Sequence, residues 1–127
     1  MSILAVSSSA TKEIPAKIAS GEAKIAVVTL LSAGDYWEQW IGGVQSEARR
    51  LRIKLDISNA DGDHTRQARY LQEAVASKPD AIIVGLGHGD TLRPGFEAAR
   101  SAGIPIVAYY VQAPPSKDVA AIGQDDA

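Results

Sequence analysis

Lys24–Leu30 reads KIAVVTL, and between Lys24 and Thr29 it contains no polar residue. A strand with one wet face alternates apolar and polar positions. An unbroken, β-branched run instead marks a strand covered on both faces, as in a parallel sheet flanked by helices. Two further runs have this character, Ala81–Val84 (AIIV) and Ile104–Tyr110 (IPIVAYY). Ile53–Ser58 alternates as another strand, and Asp118–Ile122 is short enough for a fifth at an edge.

The segments between these runs carry helical periodicity. After Ser32-Ala33-Gly34, Asp35 can cap a helix whose apolar positions Trp37, Trp40, Ile41, Val44, Ala48 and Leu51 follow the 3.6 period. Asp61-Gly62-Asp63 turns into a second helix from His64 to Ser77, with Ala68, Leu71 and Val75 inward and Pro79 as its stop. A third runs over Thr91–Ala102 and ends at Gly103; Pro94 belongs in a first turn, so its start is expected near Leu92 or Arg93. The β-α-β-α-β-α-β order implies right-handed crossovers. The expected fold is a three-layer α/β/α sandwich around a parallel sheet of four to five strands, in the flavodoxin-like order 2-1-3-4-5.

Composition agrees with one globular domain: 127 residues, 46% hydrophobic, 22% charged, 11 Gly, 6 Pro and no Cys. The absence of cysteine excludes thiolate catalysis, disulfides and Cys-ligated zinc, but leaves the compartment open. A net charge of −2 with both signs interspersed provides no positive field for a phosphate backbone, so nucleic acid is not an expected partner. No apolar stretch is long enough to span a membrane as a helix. Residues 1–23 read as a leader remnant and linker. Ile3–Val6 followed by Ser7-Ser8-Ser9-Ala10 looks like the end of a secretory signal, without the basic start or full apolar core of one. A shortened leader and an ordinary tail both fit.

In open α/β sheets ligands bind beyond the carboxyl ends of the strands. That directs attention to Ser32–Trp37, Gly85–Asp90, Tyr109–Gln112 and Gln124–Asp126. Dinucleotide binding would need G-x-G-x-x-G straight after the first strand, where LLSAGD stands. Gly85-Leu86-Gly87-His88-Gly89-Asp90 lacks the Lys-Ser/Thr of a phosphate loop and reads better as a loop that lets a ligand approach backbone. Receiver-type acids are missing from the ends of the first and third strands, and no G-x-S-x-G elbow occurs. His64 and His88, the two histidines, lack zinc-protease spacing. Asp61-Gly62-Asp63 starts like a calcium loop, but the later ligands do not follow, and a turn with a helix cap fits better. No metal or cofactor is expected, and no nucleophile and base pair points to an enzyme.

What remains is aromatic. Tyr36 and Trp37 lie in the first helical turn after the first strand, and Tyr109-Tyr110 end the fourth. Aromatic faces ringed by carboxylates and amides are the usual chemistry of carbohydrate recognition. For Tyr36 and Trp37, ligand contact and core packing stand near even; Trp40 is read as core.

KIAVVTL, the aromatic pair in DYW, ASKPDAIIVG, EAARSAGIPIVAYY and the closing AIGQDD together resemble the amino-terminal lobe of type I periplasmic binding proteins, the ribose- and galactose-binding group of sugar transporters. The resemblance runs from Lys24 to Ala127. It implies a solute held between two hinged lobes and passed to an ABC importer in the membrane, outside the cytoplasm. By position it places ligand contacts at Tyr36 and Trp37 and at Gln124, Asp125 and Asp126, with Asp35 beside the polar first-loop position taken here by Gly34. His88 and Tyr110 join this set from the ends of the third and fourth strands. Where the family commonly carries a sugar-chelating Asp, this chain has Tyr110, followed by Val111; where a polar residue often ends the third strand, it has Gly85. Ribose or glucose specificity is therefore not implied, and a less polar, modified or larger solute is. A two-lobed protein needs more than 127 residues, so the chain is expected to be part of one lobe, with a homodimer through an exposed sheet edge as a further expectation. The alternative is a chemoreceptor or lactose-repressor-type effector domain of the same fold. The repressor version would need a helix-turn-helix ahead of the first strand, and residues 1–23 carry no such pattern.

Overall fold

The KIAVVT segment, β1 (Lys24–Thr29), has a hydrogen-bonded strand on each side, which is why it can be apolar throughout. In the computed structural model, which describes residues 16–31, 34–112 and 119–122, β1 pairs in parallel with β2 (Lys54–Asn59) and β3 (Ala81–His88). β4 (Ile106–Gln112) and β5 (Val119–Ile122) complete a parallel five-stranded sheet in the order β2-β1-β3-β4-β5. Helices α1 (Asp35–Leu51), α2 (His64–Ala76) and α3 (Gly89–Ala102) connect the first four strands in turn. The expected class and strand order hold.

The step from β1 to β2 runs one way along the sheet, and the steps to β3 and β4 run the other. Right-handed crossovers then put α1 on one face and α2 with α3 on the opposite face. Strand alternation agrees. Ala26, Val28, Ile82, Val84, Ile106 and Ala108 form one cluster with Leu71, Leu92 and Ala99 of α2 and α3. On the other face Trp40 of α1 lies against Gly85 and Tyr109. The α2/α3 side is the better packed. Leu71, Ile82 and Leu92 are fully buried, each worth about 1.5–3 kcal/mol relative to exposure. Of the apolar positions on α1 only Ala48 is buried; Trp37, Trp40, Ile41, Val44 and Leu51 are half-buried, while Glu38, Gln45, Glu47, Arg49 and Arg50 are exposed as expected.

At the amino end of the sheet, Asp80 accepts hydrogen bonds from the Lys24 backbone N–H (2.8 Å) and from Lys17 Nζ (2.6 Å) in the helical turn at residues 16–20. One carboxylate thus joins the turn before β1, β1 itself and the entry to β3.

Several boundaries differ from the sequence reading. Asp35 does not cap α1: the N-cap is Gly34, with no side-chain capping bond, and Asp35 is the first helical residue. β3 continues through Gly85–His88, which had read as a loop, because Gly87 and His88 still pair with Val111 and Gln112 of β4. α3 consequently starts at Gly89, and Pro94 falls inside the helix rather than in its first turn. A proline there supplies no N–H for the carbonyl four residues back, a local cost that packing of the buried Leu92, Gly95 and Ala99 offsets. β4 begins at Ile106, past Pro105, and β5 at Val119. The Asp61-Gly62-Asp63 turn caps α2 as expected: the Asp63 side chain accepts from Arg66 N–H at 3.0 Å. No helix among the described residues is long and apolar enough to cross a membrane.

Candidate functional site

The strand order reverses at β1, whose neighbours β2 and β3 receive connections running in opposite directions, and in open α/β sheets it is beyond the carboxyl ends at such a point that ligands bind. Three rings meet on the α1 side of that end of the sheet. Trp40 stacks on Tyr109 with centroids 5.2 Å apart and planes at 29°. Trp37, one turn earlier on α1, meets both edge-on, 5.7 Å from Trp40 and 6.1 Å from Tyr109. Such stacked and T-shaped contacts are the preferred arrangements of aromatic pairs. All three residues remain half-buried, so the group is a wall with exposed surface.

Gly85 makes this wall possible. A Cβ there would lie 3.1 Å from Trp40 Cη2, so any side chain at this position would push the indole away. The absence of a side chain at Gly85 is thus coupled to the placement of Trp40. Beside it, Thr29 is fully buried and donates its hydroxyl to the Leu31 carbonyl at 2.6 Å.

A second group lies on the α2 side of β3. Gln67 is fully buried, and its Nε2 donates to the carbonyls of Leu86 (2.6 Å) and Gly85 (3.4 Å). It thereby holds the end of β3, where Leu86 has φ 63°. His64, the first residue of α2, and His88, the last of β3, bring their rings to 5.1 Å with a 46° tilt. The adjacent Asp63 carboxyl is held below its ordinary range by the Arg66 N–H that it accepts.

Of the sequence-predicted residues, Trp37 is in the aromatic wall and His88 is exposed at the end of β3. Asp35 and Tyr36 are in the first turn of α1 and Tyr110 is in β4 by backbone. Gln124, Asp125 and Asp126 lie outside the described residues. Trp40, expected in the core, instead lines the wall together with Tyr109. Both were legible in principle. Trp40 is three residues beyond Trp37, on the same helix face, and strand alternation sets Tyr109 opposite the buried Ala108. Gln67 carries a comparable signal, a polar residue on the stripe of Leu71 and Ala74.

Known proteins resemble this chain over most of its length. The chain is 29% identical over 90 residues to the xylitol-binding protein of Mycolicibacterium smegmatis, covering 71% of this chain and 26% of that protein. The structure of the 5-methylthioribose transporter solute binding protein from Thermotoga lettingae, in complex with 5-methylthioribose, superposes with a TM-score of 0.78 at 30% identity, covering 83% of this chain and 33% of that one. A carbohydrate transporter structure from Acidothermus cellulolyticus, in complex with myo-inositol, gives a TM-score of 0.62 at 33% identity, covering 68% of this chain and 30% of that one. The chain therefore spans a third or less of the length of these relatives, which are described as binding or transport proteins. Residues 25–127 match the family described as periplasmic binding protein domain, and with the matching fold and strand order the chain belongs to that family.

Proposed function

We propose that this chain is part of the solute-binding component of an ABC importer and that it contributes one wall of a cleft for a sugar or sugar-like molecule. In this reading residues 24–127 form the first segment of the amino-terminal lobe, and residues 1–23 are a leader remnant and linker. The observation that carries the proposal is the half-exposed group of Trp37, Trp40 and Tyr109 at the carboxyl end of the sheet. An aromatic wall suits the C–H face of a polyol or sugar ring, while orientation comes from polar groups around it. Asp35, Tyr36, His88, Tyr110, Gln124 and Asp125 are the proposed remaining contacts. The solutes named for the relatives, xylitol, 5-methylthioribose and myo-inositol, are of this chemical class.

The same reading places the protein outside the cytoplasm, makes a membrane permease its partner, assigns it no catalysis, and allows self-association along the open edge of β2. The relatives are described as transport proteins, which favours transport over a sensory role. Calorimetry of the full-length gene product against pentitols, pentoses, inositols and thio- or deoxy-sugars is expected to show saturable binding of at least one of them. Trp37→Ala is expected to weaken that binding at least tenfold, about 1.4 kcal/mol. A full-length protein that binds no sugar-like solute would overturn the reading.

A further inference from the structure

The chain has two histidines and no cysteine, so its two imidazoles are its only histidine or cysteine metal ligands. They are 24 positions apart in sequence and belong to different elements, yet the fold sets them ring against ring at 5.1 Å. His88 is exposed, and its side chain makes no hydrogen bond or ion pair among the described residues, so its ring can turn. His64 is half-buried, and its Nδ1 is buried without a hydrogen-bond partner among the described residues. Buried nitrogens are nearly always paired, so an orphan calls for an explanation.

The separation itself is informative. A zinc ion sits about 2.0–2.1 Å from an imidazole nitrogen, hence about 3.2 Å from the ring centre. Two rings whose centres are 5.1 Å apart would then subtend about 105° at a shared ion, close to the tetrahedral angle that zinc prefers. The 46° tilt keeps the rings from a flat stack in which no ion could serve both. Among the described residues no group of three or more His, Cys, Asp or Glu forms a metal cluster. A metal here would therefore take two protein ligands and fill its other positions with water or with donor atoms of another molecule.

We propose that His64 and His88 form a two-imidazole site for a divalent transition metal, with Zn2+ as the metal its spacing fits best. The exposed His88 provides the entry path. The bound ion ties the amino end of α2 to the end of β3, the strand end that Gln67 also holds from within. The site shares His88 with the proposed solute contacts but not the aromatic wall that carries the solute reading, and it needs no solute to bind its ion. It also revises the sequence-based expectation of no metal, which rested on spacing along the chain rather than on proximity in the fold.

The test uses the untagged chain, because a polyhistidine tag would mask the site. Titration with Zn2+ alone, followed by calorimetry, is expected to give one ion per chain and to raise the thermal unfolding midpoint. His64→Gln and His88→Gln are each expected to weaken binding at least about tenfold, the loss that even changes outside the ligand shell bring to metal sites, and to abolish the midpoint shift. His88 is exposed, so its variant should fold normally, and far-ultraviolet circular dichroism checks both variants. No zinc binding, binding unchanged in either folded variant, or a stoichiometry of two chains per ion would overturn the proposal. A failed solute screen leaves it untouched, so the two readings fail separately.

Discussion

Gly95 shows how tightly single residues are set. It lies where α3 crosses α2, and a Cβ built on it would collide with Leu71 Cδ2 and fall 2.6 Å from Leu71 Cγ. Leu71 is completely buried in the main core, so its side chain has little space into which to retreat. Gly95→Ala is therefore expected to destabilise the fold by about 1–3 kcal/mol through overpacking, despite the better helix propensity of alanine. Urea unfolding measures this. Leu71→Ala alone should cost about 2–5 kcal/mol, but combined with Gly95→Ala the two costs should fall short of their sum, because the cavity accepts the new methyl. Strict additivity would mean that the helices do not meet as described.

Asp80 acts between elements, joining the helical turn at residues 16–20 to β1 and to the start of β3. Burial pushes its carboxyl pKa up, but the Lys17 ammonium and the Lys24 N–H more than reverse this, and the net value is lowered. A lowered folded pKa means that the folded state resists protonation. The stabilisation is thus fully present above the unfolded aspartate value of about 3.9 and is lost as pH falls through the lower folded value. Asp80→Asn should cost about 1–2 kcal/mol at neutral pH, and the gap between native and variant should narrow in urea titrations below pH 4. A gap that stays constant with pH would show that the charge contributes nothing. Among the elements themselves, those with an unbroken chemical signature were legible in the sequence: β1, the core of β3, the α2 cap at Asp63 and the α3 stop at Gly103. Less legible was the tail of β3, because Gly85 and Gly87 read as loop until pairing with β4 overrides their weak strand propensity. Within the candidate site, the place of Trp37 in the aromatic group was legible, whereas Trp40 was assigned to the core because helical periodicity gives a side chain's face and not its depth. The pairing of His64 with His88 depends on the crossover from β2 to β3, which no local pattern encodes.

At the scale of the whole molecule the two sheet faces are unequal. The α2/α3 face holds most of the fully buried side chains, whereas on the α1 face Ile83, Val107 and Tyr109 remain half-buried among the described residues. The aromatic wall on that side can cover one surface of a small solute. A tight pocket buries roughly 70–90% or more of its ligand, which one wall cannot do. The chain also spans a third or less of its relatives, so the opposing wall in the proposed reading comes from residues beyond this sequence. The 127-residue chain is therefore expected to bind any solute identified with the full-length protein at least about a hundredfold more weakly, a loss of about 2.7 kcal/mol. The open edge of β2 and the thinly covered α1 face favour self-association in the same chain, and light scattering should show the mean mass rising with concentration. Titration calorimetry of the two proteins side by side decides the first point. Micromolar binding by the short chain would mean that Trp37, Trp40, Tyr109 and their neighbours form a complete pocket rather than one side of a closing cleft.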